Sequence, residues 1–386
     1  MALVESVRKR LARTAAPVTA AAVVSAVKAS PDVAVAGSAL LDLAENVGHE
    51  IVGAGPLQPL LNDPNVSDVL VNGPGEVWTD DGKGLRLTQL RFDDSEQLRG
   101  LATRLAHACG RRLDDAHPCV DARLPDGTRL HAVLPPIARR GPYLSLRTHR
   151  ARAFDIAALA EAGTLDDTSA EVIRDVVAAG IAYLISGGTG SGKTTLLGAM
   201  LSATSHKERI VIVEDSTELA PRHPHVLSLE ARGANIEGRG TVAMSVLVKQ
   251  ALRMRPDRIV VGECRGAEII ELLTALNTGH DGGAGTLHAN TAADVPARLT
   301  ALALPHGLSR SGLHALVASA LEVVIHMRRT ETARVVDEIS LLDVDPDGHG
   351  IRIVSAWRRE SGQTAAYPRL RLLLDRRLNT ANGASS

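Results

Sequence analysis

With 386 residues, 45% of them hydrophobic, the chain has enough material for two domains and a sizeable core. Charged residues make up 23% and the formal net charge is -1, so bulk charge offers no pull toward nucleic acid or an anionic membrane. The three cysteines, Cys109, Cys119 and Cys264, have no metal-ligand spacing and are odd in number, which argues against a disulfide framework and for a reducing compartment.

At the start of the chain, Arg8, Lys9, Arg10 and Arg13 precede "AAPVTAAAVVSAV", a superficial copy of a signal peptide. Pro17 interrupts that stretch and Lys28 comes after it, so residues 1–48 read instead as an amphipathic helical segment. No stretch approaches the ~20 apolar residues that span a bilayer. The expectation is a soluble, cytoplasmic protein.

Residues 49–148 read as a small α+β domain. "DVLVNG" (68–73), "EVWTDDGKGLRLT" (76–88) and "RLHAVLPP" (129–136) carry β-branched or alternating runs. Turn signals such as Asp81-Gly82 and Pro125-Asp126-Gly127 separate them, and a helix is predicted over 95–108. A linker at 149–156 then leads into a different rhythm. Thr168 with Glu171 reads as a capping box opening a helix to about residue 179. A strand at 181–186, a helix at 193–204, a strand at 209–213, a helix at 241–254 and a strand at 258–261 come next. These strands do not alternate, which predicts a parallel sheet buried on both faces and an α/β domain over 157–362. Residues 363–386, ending "NTANGASS", read as a disordered tail.

The chemistry concentrates in four short stretches. "GGTGSGKTT" comprises Gly187, Gly188, Thr189, Gly190, Ser191, Gly192, Lys193, Thr194 and Thr195, and it satisfies G-x-x-x-x-G-K-[ST] between a strand and a helix. Its glycines let backbone N–H groups close around phosphates, and the helix dipole adds attraction for negative charge. Lys193 reaches the β- and γ-phosphates in such a loop, and Thr194 offers its hydroxyl to Mg²⁺. "VEDSTEL" puts Glu214, Asp215 and Glu218 at the carboxyl end of the next strand, where ligands of parallel sheets bind. Such acids coordinate metal and activate water, or simply begin a helix.

"DRIVVGECRG" ends an apolar strand in Gly262-Glu263 where a magnesium-binding aspartate is expected. Glu263 reaches one methylene further and can meet the ion through a water, or it pairs structurally with Arg265. "GTLHANT" brings His288 out of another strand, as a structural or a catalytic histidine, with Thr291 and Asp294 capping the next helix.

Together and in this order, the four stretches resemble the secretion ATPase superfamily of P-loop motors, with its Walker A loop, Asp box, Gly-Glu Walker B and His box. "LVKQALRMRPDRIVVGE", "ALNTGHDGGAGTLHAN", "DVLVNGPGEVW" and "ARLPDGTRLHAVLPP" resemble the CpaF-type ATPases of Tad/Flp pilus assembly. The resemblance covers about residues 50–345. It implies a RecA-like ATPase domain preceded by a PAS-like α+β domain. It further implies a homo-hexamer, peripheral at the cytoplasmic face of the inner membrane, that hydrolyses ATP with Mg²⁺ and drives inner-membrane platform proteins.

By the same resemblance Arg129 and Arg147, with Arg123 as a weaker candidate, compensate charge on the γ-phosphate. Glu218 positions or deprotonates the water, Glu263 serves the ion with Thr194, Glu214 and Asp215, and His288 couples the γ-phosphate to the far side of the site. Cys264 and the short N-terminal region depart from the pattern, and the latter puts in doubt any helical-bundle domain there. The alternatives are a conjugation-type motor of type IV secretion and an ATP-dependent ring scaffold with little turnover. A metabolite kinase lacks a lid-type sequence here. With aromatics at 2%, few residues are available to stack bases, and no direct nucleic-acid contact is expected.

Overall fold

The computed structural model describes residues 53–383 apart from Lys83, 149–153, 234–238 and 346–349, and before them residues 6–7, 10, 20–30 and 47–48. Two units divide the chain, Met1–Arg150 and Ala151–Ser386. Most of the expected N-terminal helical segment lies outside the described residues. The described part includes α1 (Ala20–Lys28), with Val23, Ala26 and Val27 buried.

In the first unit, α2 (Gln58–Asn62) precedes β1 (Asp68–Asn72), β2 (Val77–Asp80) and β3 (Leu85–Leu87). Within 76–88 the turn expected at Asp81-Gly82 separates β2 from β3, and Gly82 and Gly84 take left-handed backbone there (φ 86° and 125°). Helix α3 (Ser95–Ala108) is opened by Asp94, whose carboxylate accepts from the Gln97 N–H at 2.8 Å. Then come β4 (Cys119–Arg123), β5 (Arg129–Val133) and β6 (Tyr143–Arg147). The sheet order is β3-β2-β1-β6-β5-β4, antiparallel throughout. Alternate residues Val69, Val71, Leu130, Ala132, Leu144 and Leu146 join Leu98, Leu101 and Leu105 of α3 in one core.

The second unit begins with α4 (Ile156–Glu161) and α5 (Asp167–Ala178). The cap of α5 is Asp166 with Ser169, not the expected Thr168 with Glu171. Asp166 precedes a full turn whose buried positions include Ala170 and Ile173, so the helix starts earlier than the apolar run suggests. There follow β7 (Tyr183–Gly187), α6 (Lys193–Ser202), β8 (Ile210–Glu214), β9 (Val226–Glu230), α7 (Met244–Ala251) and β10 (Arg258–Cys264). After them come α8 (Glu268–Leu276), β11 (Ala284–His288), α9 (Val295–Ala303), α10 (Arg310–Ala320) and β12 (Val323–Arg329). The unit ends with β13 (Arg334–Val344), β14 (Ile351–Arg358), β15 (Gly362–Gln363) and α11 (Tyr367–Gly383).

One nine-stranded sheet runs β15-β14-β13-β12-β7-β11-β10-β8-β9. Its neighbours are parallel from β9 to β12 and antiparallel from β12 to β15. β7 and β8 are buried along their whole length, which explains their lack of alternation. One face carries Ile173, Val176, Leu196 and Met200, and the other Val248, Leu272, Leu299 and Val317. The expected tail is a correction. Residues 367–383 form α11, because Leu370 and Leu374, one turn apart, are fully buried in the first of these cores. Arg371 ties the helix to Asp175 of α5 at 2.6 Å.

Candidate nucleotide site

Parallel pairing in the order β7-β11-β10-β8 brings the carboxyl ends of four strands to one edge. The loops that leave them carry the four stretches singled out in the sequence, although 101 residues separate Gly187 from His288 along the chain. Strand order, not sequence proximity, assembles this edge.

The phosphate loop turns on Gly187, Gly190 and Gly192, with φ of 152°, 68° and 98°. At Gly187 even the smallest side chain fails sterically: its Cβ would stand 2.4 Å from the Met327 carbonyl oxygen. Gly192 is the left-handed cap of α6, and Lys193 begins the helix. The Lys193 ammonium donates to the carbonyls of Gly187 at 3.0 Å and Gly188 at 2.8 Å, so it lies folded on the loop's own backbone. Burial holds its pKa below the ordinary lysine value, while the charges of Glu263 and Glu218 pull it back up. Arg334 braces the loop from outside, its Nε donating to the Gly190 carbonyl at 2.8 Å.

The acids differ in their surroundings. Glu214 is buried, and its Oε1 accepts from the N–H groups of Glu218 at 2.9 Å and Leu219 at 3.1 Å, which fixes the turn after β8. That turn carries Glu218 back toward the loop, where the Thr194 hydroxyl approaches its Oε2 at 3.5 Å. Asp215 is exposed. The Gly262-Glu263 ending also has a steric cause. A Cβ at Gly262 would stand 2.6 Å from Glu214 Cγ, so the neighbouring glutamate crosses the place where a side chain would be.

The chain accommodates this with a bulge: Val261 pairs with Gly285 and Cys264 with Leu287, three residues on β10 against two on β11. Glu263 lies in the bulge and is half-buried. Its Oε2 accepts from Arg265 at 2.6 Å, and Arg265 also approaches Asp215 at 3.8 Å. The structural ion pair left open by the sequence is therefore present. It does not remove Glu263 from the site, since the carboxylate acts on Lys193 as well.

His288 ends β11 directly beside Gly187, its register partner on β7. Sequence reasoning missed a second histidine, His326, which is buried on β12 with its Nδ1 2.9 Å from the Ser186 hydroxyl. A lone histidine inside the apolar run "VVIHM" was the available signal. Also missed was a cavity of about 290 Å³ beside Gly192, with Phe154, Leu159, Leu196 and Met327 as apolar walls and Thr195 and Arg334 at its border. It approaches the lower end of the ~300–1,000 Å³ range of small-molecule sites.

In the first unit the candidate arginines come together by register. Arg123 of β4 faces Arg129 of β5, which faces Arg147 of β6. Like charges directly opposite one another disfavour a sheet, so each guanidinium in the row needs partners of its own; the Arg123 Nε donates to the Gly127 carbonyl at 3.3 Å. Asp68 of β1 is the register partner of Arg147 at one end of the row.

Among the described residues no group of three or more His, Cys, Asp or Glu side chains is arranged to hold a metal ion unaided. Nor is any described helix long and apolar enough to cross a membrane. The Thr194 hydroxyl and the nearby carboxylates are hard oxygen donors, a set suited to Mg²⁺, which keeps water and phosphate oxygens as its other ligands.

The model of the type II/IV secretion system protein family matches residues 50–354. A Mycobacterium tuberculosis protein named for conjugal transfer is 53% identical over 322 residues, covering 82% of this chain and 91% of that protein. The type IV secretion system protein PtlH of Bordetella pertussis is 34% identical over 304 residues, covering 71% of this chain and 88% of PtlH. Among solved structures, the Legionella pneumophila ATPase DotB has 21% identity and a TM-score of 0.51, over 76% of this chain and 81% of DotB. The pilus retraction motor PilT, solved with bound ADP, has 20% identity and a TM-score of 0.52, over 85% of this chain and 88% of PilT. The shared fold is a RecA-like P-loop domain preceded by a smaller N-terminal domain.

Proposed function

The chain belongs to the type II/IV secretion system protein family, and from that premise we propose that it is a Mg²⁺-dependent ATP-hydrolysing motor. The observation that carries the reading is the single edge where Lys193, Glu218, Glu263 and His288 leave four neighbouring strands. In this reading Lys193 exchanges the carbonyls of Gly187 and Gly188 for the β- and γ-phosphate oxygens. Magnesium, when bound, neutralises charge on those phosphates. Thr194 and Glu263 would hold the ion with Asp215 nearby, and Glu214 contributes through the turn that it fixes.

Glu218 orients the attacking water and accepts its proton, and His288 contacts the γ-phosphate. Arg129 and Arg147, with Arg123 beside them, compensate the charge that develops there. The base would lodge in the cavity beside Gly192, which Thr195 also lines.

At the level of the machine, the reading is a hexamer at the cytoplasmic face of the inner membrane. It would act on platform membrane proteins to power assembly of a Tad/Flp-type pilus or export of protein. The 53% identical relative named for conjugal transfer favours a second reading, a conjugation-type motor of type IV secretion. Phosphate release by purified protein, measured beside Lys193→Ala and Glu263→Ala, tests the shared core of both. Wild-type release no greater than that of the variants, with platform proteins present, would leave a nucleotide-dependent scaffold instead. Loss of piliation with conjugation intact in a deletion strain would select the first machine, and the reverse outcome the second.

A further inference from the structure

His326 has no part in the chemistry above, yet its surroundings are costly for a residue with no purpose. The ring is 5% exposed, within a strand whose Val323, Val324, Ile325 and Met327 are all buried. An apolar side chain would fill such a place without having to satisfy two ring nitrogens. Instead the imidazole is satisfied on both sides. Nδ1 lies 2.9 Å from the hydroxyl of Ser186, itself fully buried, and the ring also hydrogen-bonds the backbone of Asn290. Burial lowers the histidine pKa, while the charges of Asp337 and Glu338 pull it back up.

The two partners belong to the two halves of the nucleotide site. Ser186 immediately precedes Gly187, where the phosphate loop begins, and His326 is its register partner. Asn290 lies two residues beyond His288, in the turn that Thr291 and Asp294 close with a capping box. Ser186, on β7, and Asn290, in the turn after β11, are far apart in sequence, and the histidine is a hydrogen-bonded link between them. The β12–β13 pairing slips by one residue at this point, between His326 and Met327, so the strand already departs from regular pairing there.

We propose that His326 is a positioning residue that couples the His box to the phosphate loop, so that a shift of His288 against the γ-phosphate is transmitted through Asn290 and Ser186. This inference rests on nucleotide binding at the loop, and it goes beyond the motor reading by naming the mechanical link between its two sensors. The ring itself does not touch nucleotide. It keeps two loops in one register, and without it each loop responds to nucleotide separately.

The test uses the full chain and two readouts. In steady-state ATP hydrolysis, His326→Ala is expected to lower kcat about tenfold while KM stays within about twofold. His326→Gln, whose amide can accept from Ser186 and donate to Asn290, is expected to restore kcat to within about twofold. The double variant with His288→Ala should be no slower than His288→Ala alone, because the two act in one chain. Equal losses in the Ala and Gln variants, or multiplicative losses in the double variant, would overturn the inference.

The second readout does not need turnover. Hydrogen exchange is followed on adding a slowly hydrolysed ATP analogue. In wild type, protection is expected at both 187–195 and 289–294; in His326→Ala it should persist in the first segment and vanish in the second. Equal protection of 289–294 in both proteins refutes the coupling. Should His326→Ala fail to fold, Ser186→Ala breaks the same link and is read in the same way. A wild type that shows the coupled protection but releases no phosphate would remove the motor reading and leave this inference intact.

Discussion

The nine-stranded sheet contains two regions that differ in burial and in what they do with charge: β7, β8, β10 and β11 are almost wholly buried, whereas β13, β14 and β15 include half-buried and exposed positions. From β9 to β12 the strands are parallel, so every connection leaves from the same edge, and side chains from distant segments meet there. From β12 to β15 the strands are antiparallel, successive ends fall on opposite edges, and charged side chains pair locally. Arg328 meets Asp337 at 2.7 Å, Arg358 meets Glu338 at 3.4 Å, and Arg369 grips Asp343 with bonds of 2.8 and 3.0 Å. On the parallel side, by contrast, Glu263, Glu218 and Lys193 share one field, and Lys193 bonds with loop carbonyls rather than with a carboxylate. One region uses charge to hold strands together; the other keeps it near a place for phosphate.

Substitutions can break that contrast or sharpen it. Lys193→Ala should reduce phosphate release by at least about a hundredfold, since the lysine is the charge aimed at the transferring group. Its melting temperature should stay within a few degrees, because only two loop-carbonyl bonds are lost. A variant that unfolds would show that the parallel edge also depends on its functional charges for stability.

Leu370→Ala gives the mirror image. The side chain is fully buried in the core, and a loss of about 2–4 kcal/mol in denaturant unfolding is expected. Residual hydrolysis per folded molecule should remain near that of wild type. An unchanged unfolding midpoint would mean that α11 does not dock as described.

Gly262→Ala lies between the two. Its new Cβ would collide with Glu214, whose Oε1 holds the turn bearing Glu218. We expect a stability loss of about 1–3 kcal/mol from overpacking, together with a fall in kcat. Recovery of the lost stability by Glu214→Ala in the same chain would show that the clash is the cause, with kcat staying low because the turn bearing Glu218 has lost its anchor; no recovery of stability would point to the bulge itself.

Asp343→Asn should have the smallest effect, under about 1 kcal/mol for a pair near the surface. The Arg369 guanidinium holds the Asp343 carboxyl at about 2, below its ordinary 3.8. A depressed carboxyl stabilises the fold above its unfolded value, and that stability is lost as pH falls through the folded one. Wild type and variant should therefore differ in melting temperature above pH 4 and converge toward pH 2. A difference that persisted at pH 2 would assign the effect to packing rather than charge.

The phosphate loop was legible in the sequence because its chemistry needs particular residues at fixed spacing, and Gly187, Gly192, Lys193 and Thr194 satisfy it locally. The parallel arrangement was legible too, since burial on both faces erases alternation in β7 and β8. The helix at 367–383 was not. Its composition is polar on average, and the two buried leucines gain their meaning from a core assembled by strands far earlier in the chain. His326 escaped for a related reason. Nothing near it in sequence suggests a partner, and its two partners come from β7 and from the turn after β11.

Gly262-Glu263 marks the division most clearly. From sequence alone, it was a departure from an expected aspartate, and it pointed to the type II/IV secretion system protein family. Why glycine stands there was decided by tertiary structure, through the Glu214 side chain crossing from the neighbouring strand and the bulge that carries Glu263. Arg123, Arg129 and Arg147 follow the same rule: each was visible as a charge, but only strand register aligned them in one row. Local sequence determines what a residue can do, because spacing and chemistry act over a few bonds. Which residues act together depends on strand order, which brings distant parts of the chain within reach of one another.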